Sequence, residues 1–196
     1  MKQWFDSLFK FSPWMRVAFG VWFLFGIYWT IAARESAPTK SSESTGSRQT
    51  HLALVNATLL LLFLRIPGLT QRFLPASAMS IYLGVTIEVA FFLLAVWARR
   101  HLGMNWSGEV RIAAEHRLVR SGPYRFVRHP IYTAVLGMYA GTAIVSGEDH
   151  ALVASLVVAF AYWRKIRLEE ELLARAFGEE FTSYQRDTWA VLPFVF

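Results

Sequence analysis

Arg125, Arg128 and His129 stand directly ahead of an apolar run that begins at Ile131, with Pro130 between. Proline suits the first position of a helix, where a backbone N–H has no partner to lose. His129 then falls at the N-cap, with the two arginines beside it. Unpaired N–H groups and the positive end of the helix dipole converge at such a point, which suits an anion such as a carboxylate or phosphate. The same residues also suit plain anchoring at an inner membrane surface, with a histidine cap. Further along, Glu169 and Glu170 head an apolar stripe of Leu173, Phe177, Phe181 and Tyr184, spaced 4, 4 and 3 as on one helix face. A carboxylate pair there can hold a cation. With Glu171 it can also be solvated acid that compensates a dipole. A third carboxyl, Glu88, lies inside the apolar stretch "LGVTIEVAFFL". At that depth it must be protonated, paired or in a wet cavity. It is either a pocket residue or a protonated glutamate bonded to another helix.

The elements that must position these groups are membranous. Of 196 residues, 55% are hydrophobic and only 17% charged, above the apolar share of soluble domains. The apolar residues form five blocks, at 14–33, 52–66, 79–98, 131–146 and 151–163. About 20 helical residues cross a bilayer core, so the last two blocks borrow flanking residues, with Arg164 and Lys165 snorkelling. They read as a helical hairpin around a turn at Gly147–His150, or either is a half-spanning segment buried by its neighbours. The block at 14–33 is too long and too rich in Trp and Phe for a cleaved signal peptide. Residues 35–50, small and polar, make a flexible loop. The expectation is one all-α integral membrane domain over residues 1–196. Three N-terminal membrane helices occupy 1–100 and a functional half occupies 101–196.

The net charge of +6 is a topology signal here, not a sign of nucleic acid. With five alternating helices, 15 basic residues fall on the side of the 99–130 segment and the C-terminal tail, and five on the other. That places both polar regions in the cytoplasm, where they can close over the hairpin. The chain has no cysteine, which excludes disulfides, thiolate zinc sites and a cysteine nucleophile. His51, His101, His116 and His150 show no metal-ligand spacing. There is no dinucleotide fingerprint after a strand, no P-loop and no nucleophile elbow.

The two polar regions together carry a more specific pattern. "G-P-Y-R-F-V-R-H-P-I-Y", a hairpin, then "E-E-x-x-L-x-x-x-F-G-x-x-F-x-x-Y" and "L-P-F" near the C-terminus resembles the isoprenylcysteine carboxyl methyltransferase family, part of a wider group of membrane methyltransferases. "G-M-N-W-S" at 103–107 is similar to short prokaryotic members. The resemblance covers 101–196 and implies S-adenosylmethionine as methyl donor, held without a Rossmann fold in a cytoplasmic pocket. It further implies a lipophilic small-molecule or prenylated-peptide acceptor entering from the bilayer, and leaves oligomeric state open. On this reading Leu118, Val119 and Gly122 offer backbone groups to adenine, and Tyr124 and Tyr132 stack on it or face the sulfonium. His129 and Pro130 present a helix N-terminus to the donor carboxylate. Glu170, with Glu169, holds the donor's amino group. Arg128 orients an acceptor carboxylate, making Arg128 and Glu170 the candidate catalytic pair. Glu88 and Trp106 are candidate acceptor contacts. An ionised carboxylate acceptor needs no general base, whereas an amine acceptor would call on Glu88 or Glu170. The leading expectation is carboxyl O-methylation of a prenylcysteine-like substrate. The alternatives are a phospholipid or other lipid N- or S-methyltransferase, or an NADPH-dependent sterol-reductase-like enzyme.

Overall fold

A computed structural model describes residues 12–33, 45–103 and 118–192. These residues are helical, without a named strand: α1 Pro13–Ala33, α2 Thr45–Phe63, α3 Ala78–Leu102, a 3₁₀ turn Gly122–Arg125, α4 Pro130–Ser146, α5 Asp149–Phe177 and α6 Glu179–Asp187. α1 and α3 are long and apolar enough to cross a membrane, and α4 is a shorter apolar helix. Exposed Phe23, Leu24, Ile31, Leu60, Leu83, Leu93, Leu156 and Phe160 lie on the outer faces. So much exposed apolar surface suits a lipid solvent and marks a membrane protein.

Local chemistry sets the helix ends. The Ser12 hydroxyl accepts from the Met15 N–H and caps α1. Ser77 and Ser80 form a reciprocal capping box at the start of α3, whose last turn carries Arg99, Arg100 and His101 against the dipole. α4 opens with Pro130 after N-cap His129, as the sequence predicts. Only Gly147 and Glu148 link α4 to α5, so the last two apolar blocks do form a hairpin.

Two boundaries differ from expectation. α2 begins at Thr45, inside the stretch read as loop. Its polar first turns are held by a tertiary contact: Arg164 donates to the Ser47 hydroxyl and carbonyl, each at 3.0 Å. α5 does not stop at the edge of its apolar block but runs 29 residues, roughly 44 Å, into the charged tail. It ends at Gly178, whose φ of +52° breaks the chain direction. The predicted stripe from Leu173 to Tyr184 is therefore split: Leu173 and Phe177 lie on α5, Phe181 and Tyr184 on α6.

Helices in lipid gain little from hiding apolar surface from one another, so close packing must hold them. The α3–α4 seam shows it. A Cβ added at Gly141 would stand 2.7 Å from both the Glu88 nitrogen and the Gly84 carbonyl oxygen. At Gly137 it would meet the Phe91 ring at 2.2 Å. Hydrogen bonds lock α1 and α2 onto this pair: Trp22 Nε1 donates to Thr142 Oγ1 at 3.0 Å, and the Thr58 and Tyr139 hydroxyls meet at 3.0 Å. Gly141→Ala should cost about 1–3 kcal/mol and lower the melting temperature in detergent. Gly26→Ala, with nothing within 4 Å of its Cβ position, should leave it unchanged or raise it slightly.

Candidate functional site

Segment 126–129 and segment 188–191, one before the hairpin and one after α6, are laced side by side. Arg128 N–H donates to the Trp189 carbonyl at 2.8 Å and His129 N–H to Ala190 at 3.0 Å, while Trp189 N–H returns to Phe126 at 3.2 Å. The Thr133 hydroxyl adds a bond to the Val191 carbonyl at 2.7 Å. The two polar regions thus meet, and they meet over α5. Arg128 Nε donates to Glu170 Oε1 at 2.8 Å, and its Nη1 to the Gln185 carbonyl at 3.2 Å and to the Thr188 carbonyl. His129 Nε2 lies 3.2 Å from the same Oε1, and Gln185 Nε2 donates to Glu170 Oε2 at 3.1 Å. Burial opposes ionisation of Glu170, but the bonds and charges of His129 and Arg128 outweigh it and hold the carboxyl at about 2.

Glu169 is placed differently. It accepts from the Tyr132 hydroxyl at 2.7 Å and stands 3.8 Å from His129 Nδ1. Its side chain is 28% exposed against 14% for Glu170, so it is the carboxylate better placed to meet a ligand. Glu171, at 66%, is the solvated one. The Tyr132 ring stacks on His129 with centroids 5.3 Å apart and planes 7° off parallel, and leans on Tyr162 at 4.9 Å.

The 3₁₀ turn supports this platform from the side. Tyr124 is buried with Ala98 and Ile131, and Val119 packs against them. The Tyr184 hydroxyl donates to the Tyr124 carbonyl at 2.6 Å and ties α6 to the turn. Gly122 adopts φ +60°, and a Cβ there would strike the His101 ring at 2.7 Å. Leu118 is half-buried at the start of this segment. Trp106 lies outside the described residues, as do Pro193 and Phe194 of the "L-P-F" pattern.

Arg128, His129, Pro130, Tyr132, Glu169 and Glu170 therefore come together, with Val119, Gly122 and Tyr124 beside them. Glu88 does not join them. It is fully buried in the α3–α4 seam, with Thr142 of α4 as its polar side-chain neighbour. Ala98, which does pack beside Tyr124, is roughly 15 Å further along α3. Of the two arginines that made the helix start look like an anion seat, Arg128 is engaged by Glu170 and Arg125 lies over the Phe126 ring at 4.7 Å. Arg128 balances the Glu170 carboxylate, and Glu169 is left with the Tyr132 hydroxyl as its hydrogen-bond donor.

Sequence reasoning missed several contributors. Gln185 completes the shell of Glu170 without any motif to announce it. His51 of α2 is buried with its ring edge-on to Tyr162 at 5.1 Å, and extends the ring stack beneath Tyr132. Arg99, also buried, donates to the Gly103 and Ala32 carbonyls, joining the ends of α3 and α1 beside the turn. An apolar groove of about 800 Å³ runs along α1 and α2 from Phe19 and Phe63 to Thr30 and Ile31, and among the described residues none of the predicted site residues lines it.

The profile of the phospholipid methyltransferase family matches residues 79–180, from α3 through the hairpin into α6, including Arg128, His129, Glu169 and Glu170. Among curated proteins, the probable protein-S-isoprenylcysteine O-methyltransferase of Oryza sativa subsp. indica is 29% identical over 117 residues, covering 58% of this chain and 61% of that protein. Protein-S-isoprenylcysteine O-methyltransferase B of Arabidopsis thaliana is 27% identical over 132 residues, 66% of this chain and 64% of its own. Cobalt-zinc-cadmium resistance protein CzcN of Cupriavidus metallidurans is 44% identical over 82 residues, 39% and 35% of the two chains. The matches to the plant proteins span less than two thirds of those proteins' length. They bear out the resemblance to isoprenylcysteine carboxyl methyltransferases, and the match to the profile over more than half the sequence makes this chain a member of the phospholipid methyltransferase family.

Proposed function

We propose that this protein is a multi-pass membrane methyltransferase that uses S-adenosylmethionine to esterify the carboxylate of a prenylcysteine-like acceptor. α1 to α4 and the 151–163 part of α5 are its five spans, and the Glu169–Glu170 end beyond them faces the cytoplasm. The observation that carries the reading is the meeting of Arg128–Tyr132 with Glu169–Glu170 under the laced tail. The donor supplies an activated methyl group on a cationic sulfonium. The chemistry of the cluster fits such a molecule: a half-buried carboxylate, Glu169, for an ammonium group, and parallel rings that can face an adenine or a sulfonium.

Each residue then has a part. Glu169 takes the amino group. Tyr132 and His129 form the ring wall, and Leu118, Val119, Gly122 and Tyr124 line the adenine side. Pro130 fixes the helix start from which Tyr132 projects. Arg128 and Glu170, nearly closed to solvent, hold the tail in place and position Glu169, and Arg128 also lends its charge to the carboxylate of an approaching acceptor. The enzyme's main contribution is alignment and exclusion of water, worth several kcal/mol in such transfers.

The acceptor class follows from proton affinity. A carboxyl held at about 2 takes no proton at neutral pH and is no general base. Glu88, in the seam, lies outside the cluster. An acceptor that arrives already ionised needs neither, which supports a carboxylate over an amine. Phospholipid N-methylation remains the second reading, favoured by the family profile.

S-adenosylhomocysteine should raise the melting temperature of the detergent-purified protein, and NADPH should not. Glu169→Gln should keep the apo melting temperature while weakening that ligand about tenfold or more. Arg128→Ala should itself destabilise by about 3 kcal/mol, because it strands Glu170. Equal ligand affinity in wild type and Glu169→Gln would overturn the site. Since Glu170 has a lower pKa folded than unfolded, its stabilising contribution is full above about pH 4.5 and fades as pH falls toward 2. Acid titration of the melting temperature should show that loss in wild type and not in Glu170→Gln. With tritiated donor and a farnesylcysteine analogue, the product should be base-labile; a base-stable product would move the assignment to an amine or thiol.

A further inference from the structure

At the opposite end of the bundle, the loop between α2 and α3 lies across the α4–α5 turn. Phe73 N–H donates to the Gly147 carbonyl at 2.9 Å, and Asp149 N–H to Gln71 at 2.9 Å. Beneath it is a cavity of about 220 Å³, lined among others by Trp14, Arg65, Arg72, Ser146, Glu148 and His150. Ile81 of α3 also lines it, and Ile81 is roughly 25 Å along that helix from Ala98 beside the candidate site. The cavity and the site therefore serve opposite faces of the membrane.

The charges around this cavity do not balance. Arg65 grips Glu148 with two bonds, Nε to Oε2 at 3.1 Å and Nη2 to Oε1 at 2.9 Å. Arg72 Nη1 stands 4.0 Å from that same Oε1, while its Nε donates to the Leu74 carbonyl. Two guanidinium groups thus share one carboxylate, and among the described residues of the lining one positive charge is uncompensated. Both arginines face the same Glu148 oxygen, which brings their guanidinium groups together on one wall of the cavity. Their side chains are 40% and 39% exposed, so the charge is accessible. Buried Ser146 and His150 add polar groups to the wall. A guanidinium pair is the fork that phosphate oxygens match best.

The surroundings point to a lipid. Trp14 and Tyr82 pack edge to face at 5.6 Å, the kind of amphipathic aromatic pair found at headgroup level. Phe73, Met79 and Tyr82 leave apolar surface exposed beside the cavity, where acyl chains can lie.

We propose that the Arg65–Arg72–Glu148 cavity is a seat for a phosphate group, supplied by an anionic phospholipid headgroup on the face of the membrane away from the candidate active site. A bound headgroup would bridge α1, the α2–α3 loop and the α4–α5 turn, and so brace the hairpin that carries the site at its other end. The proposal does not rest on the methyltransferase reading.

The test uses the full-length protein stripped of lipid in detergent, with its melting temperature followed against phosphatidylglycerol, diacylglycerol of the same chains, and inorganic phosphate. Phosphatidylglycerol should raise it saturably and diacylglycerol should not. A shift with inorganic phosphate alone would keep the seat but make its occupant the free ion. Arg72→Gln should weaken the phosphatidylglycerol response about tenfold and Arg72→Lys should restore part of it. If Arg72→Gln fails to fold, the wild-type comparison still decides. No response to either phosphate source, an equal response to diacylglycerol, or an unaltered response in folded Arg72→Gln would overturn the proposal.

Discussion

One carboxylate holds the functional half of this protein in register. Glu170 accepts from Arg128 and Gln185 and meets His129, joining the start of α4, the body of α5 and the end of α6 at one point. Each of those groups would be costly to leave half-buried and alone. Together they satisfy one another and place the chain on either side of them. Glu169, one residue away, inherits its position from that arrangement and remains open enough to act. Neighbouring residues of the same type thus have different parts, decided by their partners rather than by their identity.

The membrane half is held by a different force. Between helices in lipid the hydrophobic effect gives little, so contact distance matters more. Gly84, Gly137 and Gly141 let α3 and α4 approach until backbone meets backbone. Trp22 to Thr142 and Thr58 to Tyr139 add polar ties where water cannot compete. Glu88 is fully buried in this seam beside Thr142 of α4, which places it in the packing rather than in the charge cluster.

Much of the site was legible because its parts carry local signals. A proline at a helix start names the N-cap before it, and His129 and Pro130 fall where that rule puts them. The long apolar blocks announced the helices. What the sequence could not disclose was pairing. "R-H-P" beside an apolar run reads as free positive charge, and nothing local says that Glu170, forty-odd residues later, will neutralise it. The apolar stripe from Leu173 to Tyr184 misled for a similar reason: periodicity is blind to one glycine at positive φ, and Gly178 turns a single face into two helices. His51 and Gln185 enter through tertiary contact alone, and the polar start of α2 is helical because Arg164 anchors it.

α5 runs without interruption from the Gly147–Glu148 turn to Phe177. It is at once the return limb of the α4–α5 hairpin and the stalk that bears both acidic residues. A stiff rod so mounted converts tilt into displacement. A bilayer that thickens or thins changes the lean of its helices at small energetic cost, and the tip of α5 must then swing relative to the tail laced over it. On the function proposed above, the continuity of this one helix would couple the candidate site to the thickness of the lipid around it.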